Sequence, residues 1–396
     1  MHRQLLIAGA GIGGLAASIA AARAGWQVRV FERAPVFAEV GAGIQLGPNV
    51  MQVLQAWGLG PAVEAVAAAP RSLRVRDARS GRELARMPLA PDMEHRYGAP
   101  YRTVHRADLH GLLLDAARAG GDVSLQPDER VLSFADEAAA SGAVRLRTTT
   151  DREVEGEALI GADGIWSRVR ELLLGDGPAS PSGHLAYRAV IRQADLPAGL
   201  RSQDVTAWLG PRLHAVSYPL RAGELLNLVV FIEGQVEGDT EGWDHAAVAA
   251  DLQAGIGDVC APLRELVAQQ AAWRLWVICD REPLAAAAQM ARGRVALLGD
   301  AAHPMRPYVA QGAGMAIEDA KVLAQCLALV PEIDVPQALS RYAATRWARA
   351  ARVQARSRRN GRIFHLQGPM RAARDVSLAL LGARLMDMPW LYGARV

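Results

Sequence analysis

The segment "GAGIGG" at residues 9–14 constrains the fold more than any other stretch of the chain. Residues 4–8 before it read as a buried strand, and residues 15–24 after it as an alanine-rich helix ended by Gly25. Residues 26–32, "WQVRVFE", alternate as a second strand, so the chain opens on a β-α-β unit. In such a unit Gly9 allows the tight turn, Gly11 lets the backbone approach a pyrophosphate, and Gly14 lets helix pack on strand. The helix N-terminus then favours the diphosphate charge. Glu32 closes the second strand, where a carboxylate can accept hydrogen bonds from a ribose diol. The basic "MHRQ" and the small, uncharged residues behind it also have the look of a secretion signal. Glycines spaced for a turn, followed at once by a charged strand, favour the dinucleotide unit.

The chain has 396 residues, enough for two or three domains, and its 51% hydrophobic and 21% charged composition is that of a soluble globular protein. A net charge of +3 gives no argument for nucleic acid. Cys260, Cys279 and Cys326 are far apart and show neither a disulfide framework nor metal-ligand spacing, so no metal is expected and a reducing, cytoplasmic setting fits. No second long apolar run is present, so no membrane span is expected. The arginine-dense segment 341–362 could meet an anionic partner, but its plainer reading is a solvated helix face in a chain whose one lysine is Lys321.

Further along, 49–58 and 106–120 have helical spacing and end in glycine. Residues 71–89 and 185–233 lean toward strands and suggest an antiparallel sheet inserted into the α/β part. "WRLWVICD" and "RVALLGD" read as strands leading back to it, "ADEAAASG" (135–142) as a hairpin loop, and the chain from about 315 onward as helix. Two later stretches, "ALIGADGIWSRVR" (158–170) and "RVALLGDAAHP" (294–304), each run a strand into a Gly/Asp turn. Three such turns from distant parts of the chain suit a ligand longer than one dinucleotide half-site, as FAD is.

Together, "GAGIGG…FER", "HRADLH", "GADGIWSRVR" and "GDAAHPMRPYVAQGAGMAIEDA" resemble the single-component FAD-dependent aromatic hydroxylases. Within that family the chain is most similar to the group of 3-hydroxybenzoate 6-hydroxylase, salicylate hydroxylase and 6-hydroxynicotinate monooxygenase. The resemblance covers nearly the whole chain, down to "WLYG" near the C-terminus. It implies an α/β fold: a Rossmann-like FAD-binding domain (1–70, 101–182, 273–340), an inserted mixed or antiparallel β-sheet substrate domain (71–100, 183–272) and a helical C-terminal region (341–396). Gly9, Gly11 and Gly14 would hold the pyrophosphate, and Glu32, with Arg33 beside it, the adenosine ribose. Arg106 would reach the phosphate and ribityl region, or else pair with Asp108 at its helix start. Val131 would line the adenine, Asp163 would help bind FAD while capping a helix, and Asp300 would bind ribityl hydroxyls. Main-chain N–H groups near Gly312, Ala313 and Gly314 would approach the flavin pyrimidine edge, with the 315–329 helix directing its positive end there. His303, beside Asp300, is read as a structural residue of that turn. Met290 stands where the family pattern has a tryptophan, a departure that could reshape a loop near the flavin.

No second GxGxxG is present, so NADH or NADPH is expected to bind transiently, as the resemblance implies. The implied activity is hydroxylation of a small aromatic, of hydroxybenzoate type, by O2 through a flavin C4a-hydroperoxide. "HAVSY" places His214 and Tyr218 four apart, on one face of a strand. His214 could take the phenol proton, Tyr218 could hydrogen-bond the same oxygen or a carboxylate, and Gln311 could orient the substrate. Arg188 and Arg192 are either partners for a substrate carboxylate or surface charges. A flavin-dependent halogenase is a competing reading, opposed by the lack of a lysine in the N-terminal third; a non-catalytic flavin-binding module is another. A homodimer is suggested by the family.

Overall fold

The computed structural model describes residues 3–37, 42–136, 142–235 and 245–394. Strand β1 (Arg3–Ala8) carries Leu5, Leu6 and Ile7 with no exposed surface, and it lies in the interior of a six-stranded sheet. On one side it pairs in parallel with β2 (Trp26–Phe31), on the other with Ala158–Gly161. Val123–Gln126 extends the sheet beyond β2, and Val295–Leu297 with Ala291–Arg292 extends it at the other edge. Continuous apolar runs suit this sheet because parallel strands are covered on both faces.

Helix α1 (Ile12–Arg23) starts three residues earlier than the pattern suggests, with Gly11 as its extended N-cap. Gly14 therefore lies in the first turn of the helix rather than in the loop. Two further helices position the cleft: α2 (Arg106–Ala119), and α3 (Arg168–Leu174), which is capped by Ser167.

A second sheet of eight strands stands against the first unit. Its centre is β3 (Ser180–Arg192), β4 (Leu213–Leu220) and β5 (Leu225–Glu233), all antiparallel, with β6 (Ala272–Asp280) on the far side of β3. Val205–Gly210 pairs in parallel with Ser72–Asp77, so the sheet is mixed. "WRLWVICD", expected to lead back into the α/β part, is β6 and belongs to this second sheet. It pairs antiparallel with β3, and the chain returns to the first sheet at Ala291–Arg292 and Val295–Leu297. Alternate residues of β4 serve two cores. Leu213 and Ala215 pack with Leu263 and Leu266 of the helix Ala261–Ala268. His214 and Tyr218 point the other way, toward Tyr308, Val309 and Met315. The loop expected at 135–142 lies largely outside the described residues. It is flanked by strands Val131–Asp136 and Val144–Thr148, which pair antiparallel.

Helix α4 (Gly312–Leu327) buries one side against α1 and the other against α5 (Val335–Phe364). A shorter helix, α6 (Gly368–Leu381), follows. The arginines of 341–362 are not all on a solvated face. Arg346 is fully buried against Glu318 and Asp319, and Arg349 and Arg358 reach Glu318 and Asp280. No described helix is long and apolar enough to cross a membrane.

Candidate active site

A cleft of about 410 Å³ opens at the carboxyl ends of β1 and β2. Gly9, Gly11, Glu32, Arg33, Arg106, Val131, Asp163 and Asp300 all line it. A second cavity of about 170 Å³ shares Arg106, Trp166, Trp276 and Asp300 with the first and continues it toward Pro304 and Met305. Residues from three distant turns thus meet along one elongated depression.

The glycines have atomic reasons. Gly9 sits at φ +97, and a Cβ there would lie 2.4 Å from the carbonyl oxygen of Ala162. A Cβ on Gly14 would lie 1.9 Å from the carbonyl oxygen of Gly9. Gly14 does not line the cleft; it lets helix and turn interlock behind it. Glu32 grips the same loop, accepting from Ala10 N at 2.7 Å and Ala34 N at 2.9 Å.

Asp163 accepts from Ser167 Oγ and from the N–H groups of Arg168 and Val169, so it holds the start of α3 while it lines the cleft. Burial raises its pKa, and these donors oppose the rise. Asp108, the other candidate partner of Arg106, pairs with Arg221 at 2.7 Å. His110, one turn along α2 from Arg106, bonds Ala10 O at 2.9 Å and also lines the cleft. Sequence reasoning missed it, although the i, i+4 spacing within "HRADLH" carried the signal.

At the other end, Gly312, Ala313 and Gly314 form the first turn of α4, so their N–H groups are among those a helix leaves without intrahelical partners. Gly312 is loosely surrounded: the nearest atoms to a Cβ there would be Asp300 Oδ1 and Met305 Cγ, both at 4.0 Å. Beneath this turn runs a buried polar network. Asn49 Nδ2 donates to Gln311 Oε1 and Glu318 Oε1, and Arg346 bridges Glu318 and Asp319. His303 Nε2 bonds the buried Asp319 carboxylate at 2.6 Å. Burial opposes ionisation of Asp319, but His303 and Arg346 outweigh it and hold the carboxyl below its ordinary range. Met290 is buried in the core of the first unit.

His214 and Tyr218 share one face of β4 but line none of these cavities. Tyr218 Oη donates to Gly43 O at 2.7 Å, while Asn227, its cross-strand neighbour, accepts from Gly43 N. Burial pushes the Tyr218 phenol up, with Arg188 opposing. His214 is 1% exposed and bonds His365 through Nδ1. Gln311 is buried and held by Asn49. Arg192 is a surface residue paired with Asp195. Arg188 is different: its guanidinium stacks 3.8 Å from the Trp276 ring centroid and borders the second cavity, and its buried Nε has no hydrogen-bond partner. Burial lowers its pKa to about 10, with Tyr218 opposing and Arg106 adding to the effect.

The residues fit FAD by their shape. Methyl-free backbone lines one end, a carboxylate pair (Glu32, Asp300) spans the cleft, and the N-terminus of α4 lies beside Asp300. The FAD binding domain family matches residues 2–357. A 3-hydroxybenzoate 6-hydroxylase of Polaromonas naphthalenivorans (strain CJ2) is 41% identical, over 99% of this chain and 96% of that protein. The 3-amino-4-hydroxybenzoate 2-monooxygenase PtnB3 of Streptomyces platensis is 37% identical, over 99% and 96%. The crystal structure of Klebsiella pneumoniae HpxO complexed with FAD and uric acid aligns with TM-score 0.84 at 26% identity, covering 97% of this chain and 94% of that one.

Proposed function

Because this chain belongs to the FAD-dependent aromatic hydroxylases, enzymes that use NAD(P)H and O2, we propose that its substrate is a small ring bearing both a hydroxyl and a carboxylate. The observation that carries the substrate class is Arg188. A guanidinium in a desolvated position, without a carboxylate partner among the described residues, costs free energy that a bound anion would recover. It borders the cavity that continues the cofactor cleft, where a benzoate carboxylate would be within reach. The two relatives named above act, by name, on a hydroxybenzoate and an aminohydroxybenzoate, which share that pair of groups.

Gly9, Gly11, Glu32, Arg33, Arg106, Val131, Asp163 and Asp300 would hold FAD along the cleft, with Gly14 keeping the turn in shape. Reduced FAD supplies the activated oxygen. The first turn of α4, at Gly312, Ala313 and Gly314, favours negative charge at its end of the cleft through its N–H groups and dipole. His214 would take the proton of the substrate hydroxyl at Nε2, making the ring electron-rich. Tyr218, its phenol kept neutral by burial, would donate to the same oxygen once released from Gly43. Gln311, fixed by Asn49, would orient the ring through its remaining amide donors. The second sheet, beside the cleft, would help to exclude water when the ligands are bound.

Turnover with 3-hydroxybenzoate should consume NAD(P)H and yield 2,5-dihydroxybenzoate, whereas phenol and benzoate, each lacking one group, should give little product. Arg188→Gln should raise KM for the carboxylate substrate about tenfold or more, roughly 1.4 kcal/mol of binding. Equal KM values for the variant and the parent would remove Arg188 from the substrate site.

A further inference from the structure

We infer that His365 and Glu233 form an exit path that carries the substrate's phenolic proton from His214 to solvent. The inference rests on the reading of His214 as the base.

The problem it solves is physical. His214 is wedged parallel to Phe231 with ring centroids 4.4 Å apart, and it meets Tyr308 and Phe364 edge-on. Burial holds its pKa well below the ordinary imidazole value, and His365 and His184 push it lower. An imidazole that cannot keep a charge cannot hold a proton taken from a phenol; it can only pass it on.

An outlet is in place. His214 Nδ1 lies 2.7 Å from His365 Nε2. His365 caps the C-terminal end of α5, and its buried Nδ1 has no hydrogen-bond partner. That atom lies 3.5 Å from Glu233 Oε1, a small side-chain rotation from a hydrogen bond. Glu233 ends β5, is about one-third exposed, and is paired with Arg212 at the surface. Burial lowers the pKa of His365 to about 4, with His184 adding and Glu233 opposing, so this ring too is neutral near pH 7. A neutral imidazole accepts at one nitrogen while donating from the other.

The proton count balances. The phenol O–H bond breaks and His214 gains a proton at Nε2 as it releases one from Nδ1. His365 gains that proton at Nε2 and releases its own from Nδ1 to the Glu233 carboxylate, which loses it to water. Reverse transfer, when the product oxygen is reprotonated, restores both tautomers. His365 and Glu233 act through His214 and are positioning residues.

His184, Glu233 and His365 also bring ligand atoms within 4.8 Å of one another, as a metal site would. The His184 and His365 rings, however, are stacked at 4.6 Å and 27°. Lone pairs in the planes of stacked rings do not converge on one ion, and His184 Nδ1 is already bonded to Tyr308 Oη. The cluster suits proton transfer better than coordination.

The test mixes FAD-loaded enzyme, without NAD(P)H, with 3-hydroxybenzoate in a stopped-flow instrument. Phenolate absorbance and proton release to an indicator dye are followed together. Parent enzyme should show both at one rate. His365→Gln, which keeps a hydrogen-bonding group at this position, should slow both about tenfold or more with unchanged FAD content. The partly exposed Glu233→Gln should slow proton release in a correctly folded protein, and added imidazole should restore the rate in His365→Ala. If phenolate forms in the parent and is lost in His214→Asn, yet keeps its rate in His365→Gln and Glu233→Gln, the path is overturned alone. If the parent forms no phenolate, His214 is not the base and the path falls with that reading.

Discussion

A single methyl group at position 14 would undo the cofactor turn. Alanine there would place Cβ 1.9 Å from a backbone oxygen that has nowhere to move, since Gly9 is itself pressed against Ala162. Gly14→Ala should therefore weaken FAD binding by about two orders of magnitude while much of the second sheet remains folded. Titration of the apoprotein with FAD, followed by flavin fluorescence, measures it; unchanged affinity would mean the turn tolerates the displacement. Residues of this kind were legible in the sequence because the chemistry is local. Gly9, Gly11 and Glu32 lie within one β-α-β unit, and their spacing alone predicts that they line one cleft, as they do. The partnership of His214 with His365 was not legible, because 151 positions separate them and neither motif nor periodicity links them. Arg188 and Arg192 looked alike in sequence; the topology sends one to the border of the second cavity and the other to the surface.

At the scale of elements, α4 explains why so much polar chemistry lies beneath an apolar helix. Glu318 and Asp319 point inward from its second turn and would be untenable without Arg346 and Arg349 from α5. This network fixes the helix start, through Asn49 and Gln311, and the preceding turn, through His303 and Gly299 N. Arg346→Met should leave two buried carboxylates under-compensated and cost about 3–5 kcal/mol of stability. Arg341→Met on the exposed side of α5 should change stability by no more than about 0.5 kcal/mol. Thermal denaturation of both variants decides the point, and equal shifts would show that Arg346 is not structural. The helical period of 341–362 was readable from sequence. The inward direction of its arginines was not, because the carboxylates they meet are on another helix and a charge run is most often solvated.

At the scale of the molecule, the chain passes back and forth between two sheets, and the cleft exists only because it does. The first sheet supplies the glycine turn and Glu32, the second supplies Arg188 and Trp276, and the first turn of α4 lies beside Asp300 and Met305 at the edge of the second cavity. The α/β frame was legible from strand-turn-helix order. The placement of β6 was not, because an apolar strand of this length suits either sheet and only its pairing with β3 decides. The most direct measurement of the central claim is anaerobic reduction of the purified yellow protein by NADH or NADPH, with and without 3-hydroxybenzoate, followed at the flavin absorbance band. The account predicts bound FAD and a reduction rate raised about tenfold or more by the aromatic acid. A colourless protein that does not take up FAD, or a reduction rate indifferent to every hydroxybenzoate offered, would contradict it.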